Sequence, residues 1–519
     1  MTAALARDVS ETFAMAVTTD TSNAALALRY DQIPYDALPH RATHPARLAT
    51  AAALAGHPAS PVARCSVLEV GCSDGSNLIP MAVSLPTARF VGCDLSPRAL
   101  AAGRRTIEAL GLTNVTLVEG DLAALAPVHG EFDFIVAHGV YSWVPPEVRD
   151  ALFALAAQRL ARNGVLYVSF NVLPGCRLRQ AAWDVLHQHV DHIEEAHARL
   201  DGARALARLV ADGGVATHEA DEALRAEFRA IAQHSDSELA HDDLAVPNDP
   251  VFFKAFVQHA ARHGLRYLAE AETQTSDLAG VSDAAKNYLS TLEPLAREQY
   301  LDFFRLRRFR QSLLVREDAP SGATKPLGAM HVSANVTLTA AAATSGVHKL
   351  ARRLDPASGG GGAVRKLLDA LVANQPAAYE IASLEETLHV GPFPRPLEDI
   401  LADAYRWAIV DLHVHPSGLT ILASDRPVAS PLARLQARTN DTVTTLLHTQ
   451  IAIADVNALR LLPLVDGTRD RAALAAAVKQ FALDIDPSRA AHFVDYAIEK
   501  FARLGLLLAE GPAGTASAQ

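Results

Sequence analysis

The chain has 519 residues, of which 50% are hydrophobic and 20% charged, so it is long enough for about three globular units with apolar cores. Wholesale disorder is excluded, because chains that stay unfolded are poor in hydrophobic residues. The formal net charge of −11 argues against a surface that grips phosphate backbones, and nucleic acid is therefore not an expected partner.

The N-terminal residues carry no pattern typical of secretion. No basic stretch precedes an apolar block there, and no later run approaches the ~18 uninterrupted apolar residues of a membrane helix. The four cysteines form no Cys-x-x-Cys pair, which is the pattern of reduced thiols. We therefore expect a cytoplasmic protein without stable membrane association.

From Ser66 onward, short apolar runs alternate with helical stretches rich in alanine and leucine. This alternation is typical of a parallel β-sheet whose two faces are covered by helices. The predicted strands are residues 66–70, 88–94, 115–121, 132–138 and 164–171.

The stretch VLEVGCSDGSN at 67–77 follows the first predicted strand into a loop with two glycines. Gly71 and Gly75 would let the backbone approach a ligand closely, and the helix that opens near Asn77 would turn free N–H groups toward an anionic group. The dinucleotide pattern Gly-x-Gly-x-x-Gly fails, because Ser73 and Ser76 occupy its second and third glycine positions. The loop therefore argues against NAD.

Carboxylates follow the next two strands. Asp94 closes the second strand, 25 positions after Glu69, where it can reach ribose hydroxyls. Asp121 follows the third strand and could accept a hydrogen bond from the exocyclic amine of an adenine packed beside Leu122. Each residue alone is also typical of a capped turn or a solvated carboxylate, but their joint spacing predicts that three strand ends converge on one nucleoside.

Beyond Pro174-Gly175 the pattern changes to long helical segments, which predicts a mostly α unit. Within it, residues 297–316 interleave Arg305, Arg307, Arg308 and Arg310 with aromatic residues, as expected of one helix with an apolar face. Such a helix could dock an acidic protein or RNA, or it could pack the middle unit against the catalytic one. The aromatic spacing favours packing.

After Asp318 helical and β-prone runs are mixed, which predicts an α+β unit. Two β-prone runs within 408–422 indicate a hairpin beside helices, as in a winged helix. Asp411, His413 and His415 lie there in the alternation of a metal-binding His-x-His, but no matching ligand cluster accompanies them. We interpret them as residues of a half-exposed hairpin and expect no metal.

Several of these stretches resemble class I methyltransferases. HGVYSWVP at 138–145, preceded by YDQIPYDALPHRATHPARLA at 30–49, is similar to bacterial methyltransferases that carry a methyltransferase regulatory domain. The best-known members of that family are the rickettsial protein lysine methyltransferases that modify outer membrane protein B. The resemblance extends nearly over the whole chain, through residues 248–272, 298–314, 426–437 and 464–470.

The resemblance implies an α/β fold class. A Rossmann-like class I methyltransferase sheet would be followed by a mostly α middle domain and an α+β winged-helix-like C-terminal domain. The expected segments are an N-terminal arm or lid over 1–55, an S-adenosylmethionine-binding domain over 56–180, a helical regulatory domain over 181–318, and the C-terminal domain over 319–519.

The cofactor that the resemblance implies is S-adenosyl-L-methionine. Its methionine end would be lined by Glu69, Gly71, Cys72, Gly75 and Asn77, its ribose by Asp94 and Leu95, and its adenine by Asp121 and Leu122, with His138 closing the pocket. The chain departs from the usual family pattern at Ser73, Asp74 and Ser76, and at Cys176, where members commonly have Trp.

Methyl transfer from a sulfonium requires a neutral nucleophile held in line with the breaking bond and shielded from water. Aromatic and amide side chains could aim such an acceptor amine: Tyr141, Trp143 and Asn171 near the fourth and fifth strands, with Tyr30 and Tyr35 from the preceding segment. Tyr141 and Tyr35 are the preferred candidates, although packing competes with catalysis as an interpretation of each aromatic side chain.

The function expected from this resemblance is protein lysine N-methylation, with a polypeptide as substrate and an unfolded or exported outer membrane protein as one candidate. Methylation of a small molecule or RNA is an alternative, and a non-catalytic scaffold that binds the cofactor is another. Fold and family do not determine the acceptor.

Overall fold

The computed structural model describes residues 32–508, apart from residues 59, 123–129, 216, 279, 336–339, 359–361, 416–418, 420 and 483–485. Tyr30 lies outside the described residues. Within the described part of the chain, no helix combines the length and apolarity needed to cross a membrane.

A seven-stranded sheet forms the centre of the molecule, with the strand order β3-β2-β1-β4-β5-β7-β6. The first five strands are parallel, whereas β7 runs antiparallel to both of its neighbours. Apolar residues on both faces are buried, as expected of a sheet covered by helices on both sides. The strands are β1 (Ser66–Val70), β2 (Arg89–Asp94), β3 (Val115–Glu119), β4 (Phe132–Ala137), β5 (Leu160–Asn171), β6 (Leu265–Glu270) and β7 (Phe309–Arg316).

The five strands predicted from the sequence are all present, and β1 has the predicted bounds. Strands β6 and β7 belong to the same sheet although they lie within the expected middle domain over 181–318. A boundary at residue 180 therefore separates segments that share one sheet, and the middle domain is better described as a helical insert between β5 and β6.

Helices cover the sheet and build the insert. Local signals define several ends: Ser96 caps the helix that follows β2 by accepting from the Ala99 N–H, and Gly111 ends that helix at φ +63°. The helices of this part are α1 (Pro45–Leu54), α2 (Leu78–Ser84), α3 (Pro97–Leu110), α4 (Pro146–Arg159), α5 (Arg177–Val190), α6 (Ala196–Asp212), α7 (Glu219–Ile231), α8 (Phe253–Arg262), α9 (Asp283–Ser290) and α10 (Pro294–Arg305).

The arginine-rich segment 297–316 does not form the single helix that the sequence predicted. Helix α10 ends at Arg305, Leu306 adopts φ +46°, and the chain continues into β7 from Phe309. The preferred packing role is supported at Arg310, which is buried. Its guanidinium contacts the carboxylates of Glu270 and Asp302 and lies 4.1 Å from the centre of the Phe253 ring.

The last third of the chain has two apolar cores. The linking unit, residues 330–413, surrounds a three-stranded sheet, and the C-terminal unit, residues 429–508, surrounds a two-stranded one. Their elements are β8 (His331–Ala334), α11 (Ala340–Leu354), α12 (Ala363–Ala373), β9 (Tyr379–Glu380), α13 (Leu384–Leu388), α14 (Leu397–Arg406), β10 (Val410–His413), α15 (Pro431–Gln436), β11 (Thr442–Thr444), β12 (Gln450–Ala452), α16 (Val456–Leu461), α17 (Arg471–Phe481) and α18 (Ala490–Arg503).

The turn of the hairpin expected within 408–422 falls on residues 416–418, which lie outside the described residues. The first β-prone run forms β10, which pairs with β8 of the linking unit. His413 is partly buried and contacts Ser333 Oγ through Nε2 at 2.9 Å, and burial lowers the pKa of His413 to about 4. Asp411 accepts hydrogen bonds from Arg41 and Arg47 of the N-terminal arm, so it anchors the arm.

Because Arg310 neutralises several buried carboxylates, Arg310→Ala should lower the free energy of unfolding by about 3–5 kcal/mol. Urea unfolding followed by circular dichroism measures the change. Arg316→Ala is the matched control, since Arg316 lies on the same strand in an exposed pair with Asp318 and should have little effect. Equal stability of the two variants would contradict the assigned role of Arg310.

Candidate functional site

A cavity of about 530 Å³ lies at the carboxyl ends of β1, β2, β4 and β5. This is the edge at which parallel α/β sheets bind ligands. The N-terminal arm covers it through residues 34–40, and the insert closes it from the other side. Most of the residues predicted to bind the cofactor line this cavity: Glu69, Gly71, Cys72, Asn77, Asp94, Leu95, Asp121, Leu122 and His138.

The loop between β1 and α2 uses both of its glycines in left-handed backbone conformations. Gly71 and Gly75 have φ of +70° and +76°, a region that other residues rarely adopt. A Cβ atom at Gly71 would stand 3.0 Å from the Val140 side chain, so the loop needs glycine there. Gly75 does not line the cavity; its N–H donates to the Cys72 carbonyl and closes the turn.

Glu69 and Asn77 form a buried pair at one end of the cavity. The Asn77 side-chain amide donates to Glu69 Oε1 at 2.6 Å, while Glu69 Oε2 is buried and has no hydrogen-bond partner among the described residues. Burial raises the pKa of Glu69 to about 8, partly offset by the bond from Asn77. Glu69 lines the cavity, and one of its carboxyl oxygens has no hydrogen-bond partner among the described residues.

Asp94 holds the loop between β1 and α2, residues 71–77, to the start of α3; we call it the cofactor loop. Its two carboxyl oxygens accept from the backbone N–H groups of Ser73 and Ser96, each at 2.8 Å. Burial raises the pKa of Asp94, and this effect outweighs the lowering by these hydrogen bonds. Each oxygen retains a further lone pair for a ligand hydroxyl, so loop anchoring and ribose binding are compatible.

Two stacked histidines line the wall of the cavity. The rings of His40 and His138 are 3.6 Å apart, and His138 Nδ1 lies 2.9 Å from the Tyr167 hydroxyl. Burial lowers the pKa of His40 to about 4 and places that of His138 well below its usual range, where His40 lowers it further. Both rings are therefore neutral near pH 7 and add no positive charge to the site.

Tyr141 does not line the cavity. The prediction that its side chain aims the acceptor amine is therefore not supported. Its ring is buried against Phe153, Phe170 and Phe256, and its hydroxyl lies 2.8 Å from His259 Nδ1. The packing interpretation accounts for Tyr141, because the short 3₁₀ turn that contains it points the side chain into the core.

The other described acceptor-side candidates, Tyr35, Trp143 and Asn171, line the cavity. Asn171 donates to Asn248 Oδ1 at 2.9 Å, and Asn248 in turn donates to the backbone carbonyl of Asp242 at 2.7 Å. Trp143 Nε1 is buried without a partner among the described residues.

Sequence reasoning missed the contribution of the insert to this cavity. Residues 239–243 form a π-helical turn, a form that often occurs at functional sites, and Asp242 of this turn lines the cavity. His40 and His448 were also missed: the first stacks on His138, and the second contacts Asn77. The adjacent carboxylates in HDDLAVPND at 241–249 were the one available signal for Asp242.

Three family models match the chain. The model described as "Methyltransferase domain" matches residues 67–164, the one described as "Predicted methyltransferase regulatory domain" matches 235–316, and the one described as "PKMT, C-terminal winged helix domain" matches 425–486. The winged-helix expectation is thus confirmed, but in the C-terminal unit and not around the predicted hairpin.

Two uncharacterised proteins of Rickettsia prowazekii are similar in sequence. One is 30% identical over 242 residues, which cover 46% of this chain and 97% of that protein. The other is 36% identical over 293 residues, but the aligned region spans only 53% of its length and 56% of this chain.

A solved structure described as PKMT2 from Rickettsia typhi in complex with AdoHcy matches the fold. The TM-score is 0.75, with 91% of this chain and 100% of that chain covered at 23% sequence identity. At this identity the match supports the fold, including the order of sheet, insert and C-terminal units.

The cavity fits S-adenosylmethionine. The unsatisfied Glu69 Oε2 can accept from the α-ammonium of its methionine part, and the neutral histidines leave the surroundings of a cationic cofactor free of imidazolium charge. Asp94, Asp121 and Leu122 line the part of the cavity expected for its nucleoside.

Ligand binding should release protons from Glu69 near pH 7. With a pKa of about 8 in the ligand-free protein, this carboxyl group is mostly protonated at pH 7 and must ionise to pair with an ammonium group. Calorimetry of S-adenosylhomocysteine binding, in buffers of different ionisation enthalpy, should show greater proton release for the wild type than for Glu69→Gln. The difference should approach one proton per ligand, and identical proton counts would show that Glu69 does not bind the ammonium.

Proposed function

Because the chain belongs to the S-adenosylmethionine-dependent methyltransferases that carry a methyltransferase regulatory domain, we propose that it is a protein lysine N-methyltransferase. Its substrate is a polypeptide segment whose lysine side chain enters the cavity between the arm and the insert. An unfolded or exported outer membrane protein is one such substrate. The winged-helix domain model, whose description names PKMT, supports a protein acceptor.

The observation that carries this proposal is the carboxylate of Asp242. Its neighbour Asp243 is held by Arg179, Trp183 and His234, whereas no hydrogen-bond partner of the Asp242 carboxylate occurs in the described part of the chain. Burial raises the pKa of Asp242 to about 6, and the charge of Asp243 adds to the shift. Asp242 is therefore ionised at pH 7 and available to a cationic side chain.

A lysine side chain suits this end of the cavity. The carboxylate attracts the ammonium, and the aromatic faces of Tyr35 and Trp143 can contact the alkyl chain and the charged nitrogen. Asn171 and Asn248 hold the π-helical turn to the end of β5, which sets the position of Asp242 relative to the cofactor residues.

S-adenosylmethionine supplies a methyl group bound to a positively charged sulfur. Only a neutral amine can attack this methyl group, because an ammonium has no free lone pair. Asp242 can take the proton of the lysine ammonium, because a partly buried site disfavours the charged amine. The freed nitrogen lone pair then forms the C–N bond while the C–S bond breaks, and its electron pair stays on sulfur. Residues of the arm and of the insert surround the place of this step, where a bound polypeptide displaces water.

Methyl-labelled S-adenosylmethionine and a denatured lysate of the source cell test the acceptor class. The proposal expects label in protein that yields methyllysine on acid hydrolysis. Label only in RNA or small molecules would support the alternative substrates, and S-adenosylhomocysteine binding with no labelled product would support a non-catalytic scaffold.

Asp242→Asn should lower kcat/KM for an unfolded protein substrate by about 100-fold, since a general base typically contributes a factor of this size. S-adenosylhomocysteine affinity should stay near the wild-type value. In the wild type, kcat/KM should fall as the pH drops through about 6, because Asp242 becomes protonated, and the variant should lack this limb.

Asp236→Asn provides the control. It makes the same charge change in the same segment, but Asp236 pairs with Arg204 outside the cavity. If both variants lose activity equally, or if Asp242→Asn keeps the acid limb, Asp242 does not receive the acceptor proton.

A further inference from the structure

The C-terminal unit contacts the cofactor site through the side chain of His448. His448 lies at the tip of the hairpin between β11 and β12, and its Nε2 atom stands 2.7 Å from Asn77 Oδ1. Both side chains are buried. The two residues are 371 positions apart, so only the docking of the C-terminal unit on the sheet brings them together.

The hairpin tip is built to present His448 in one conformation. His448 has φ +60°, a left-handed conformation that costs energy in residues other than glycine. Such a conformation persists only where the surrounding structure imposes it. Its N–H donates to the Thr445 carbonyl at 3.1 Å, and the Thr445 N–H donates to the Thr449 carbonyl at 2.8 Å. The Leu446 N–H donates to the Gly505 carbonyl, which ties the tip to the end of α18.

Strand β11 of the hairpin is tied to a helix that contacts the catalytic part. The Thr444 N–H donates to Gln436 Oε1 at 2.7 Å, and Gln436 ends α15. Helix α15 contacts α2 and α3, the two helices that follow β1 and β2. The C-terminal unit and the cofactor loop are therefore held against the same pair of helices.

Asn77 connects His448 to the unsatisfied carboxyl group. Its amide nitrogen donates to Glu69 Oε1 at 2.6 Å and to Thr43 Oγ1 at 3.0 Å, while its oxygen accepts from the His40 N–H at 2.7 Å and faces His448 Nε2. If the amide were flipped, its NH₂ group would meet the backbone N–H of His40, so Oδ1 faces His448 and the neutral ring donates to it from Nε2. Donation from His448 therefore favours the orientation in which Asn77 holds Glu69.

The imidazole performs this task in its neutral form. Burial keeps the pKa of His448 well below its usual range, and the neighbouring His44, His40 and Arg41 lower it further. A neutral ring with its proton on Nε2 donates the hydrogen bond without placing a positive charge beside a site that takes a cationic cofactor.

We infer that His448 is a positioning residue of the cofactor site, and that the C-terminal winged-helix unit is a structural part of that site. The unit orients Asn77, and Asn77 orients Glu69 toward the amino group of the cofactor. This inference does not depend on the acceptor, because it concerns cofactor binding alone.

Two substitutions of similar size separate the hydrogen bond from the loss of the ring. His448→Gln keeps a side-chain N–H donor, and His448→Leu has none. Calorimetry should show S-adenosylhomocysteine affinity about tenfold weaker for His448→Leu, as expected when a buried polar group loses its partner, and substantially restored for His448→Gln. His492→Leu is the control, since His492 is exposed on α18 of the same unit.

A double-mutant cycle identifies the route of the effect. If His448 acts through Asn77, His448→Leu should add almost no further loss of affinity in an Asn77→Ala background. Thermal melting without ligand compares the stability of the Gln and Leu variants, so that a difference in affinity at equal melting temperature reports the donor. Equal affinity of these two variants, wild-type affinity of His448→Leu, or additive losses in the cycle would overturn the inference.

Discussion

The antiparallel pairing of β7 with β5 is the constraint on which the arrangement of the site depends. This pairing sets Asn171 opposite Phe309, so the chain that leaves β5 toward the insert comes back beside the same point when it enters β7. The Val172 N–H donates to the Arg308 carbonyl at 2.9 Å, which closes the base of the insert beside the cavity. The insert is thereby held over the carboxyl ends of the parallel strands, where Asp242 becomes part of the site.

Burial of titratable groups is the common electrostatic feature of the cavity, although Arg98, Arg179 and Arg308 also line it. It raises the pKa of Glu69 and Asp242, and it keeps His40, His138 and His448 neutral. Buried carboxylates that lack a countercharge are costly until a cation binds. The site thus suits a cofactor with positive charge and an acceptor that arrives as an ammonium ion.

The regulatory segment and the last third of the chain take part in this site in different ways. Arg310 is buried among carboxylates and stabilises the edge of the sheet, while Asp411 of the linking unit holds the arm through Arg41 and Arg47. The C-terminal unit contacts the cofactor loop through His448. Each unit outside the parallel strands therefore contacts an element that closes or orients the cavity.

The sequence by itself determined the parallel strands, the glycine loop and the carboxylates at the strand ends, because alternating apolar runs and strand-end positions are local patterns. It could not separate Tyr141 from Trp143: both follow β4 within six residues, but only the backbone turn decides that one enters the core and the other lines the cavity. The placing of β6 and β7 in the main sheet, and of Asp242 and His448 at the cavity, depended on pairing between distant segments. Such pairing leaves no periodic pattern, and only the tertiary structure decided it.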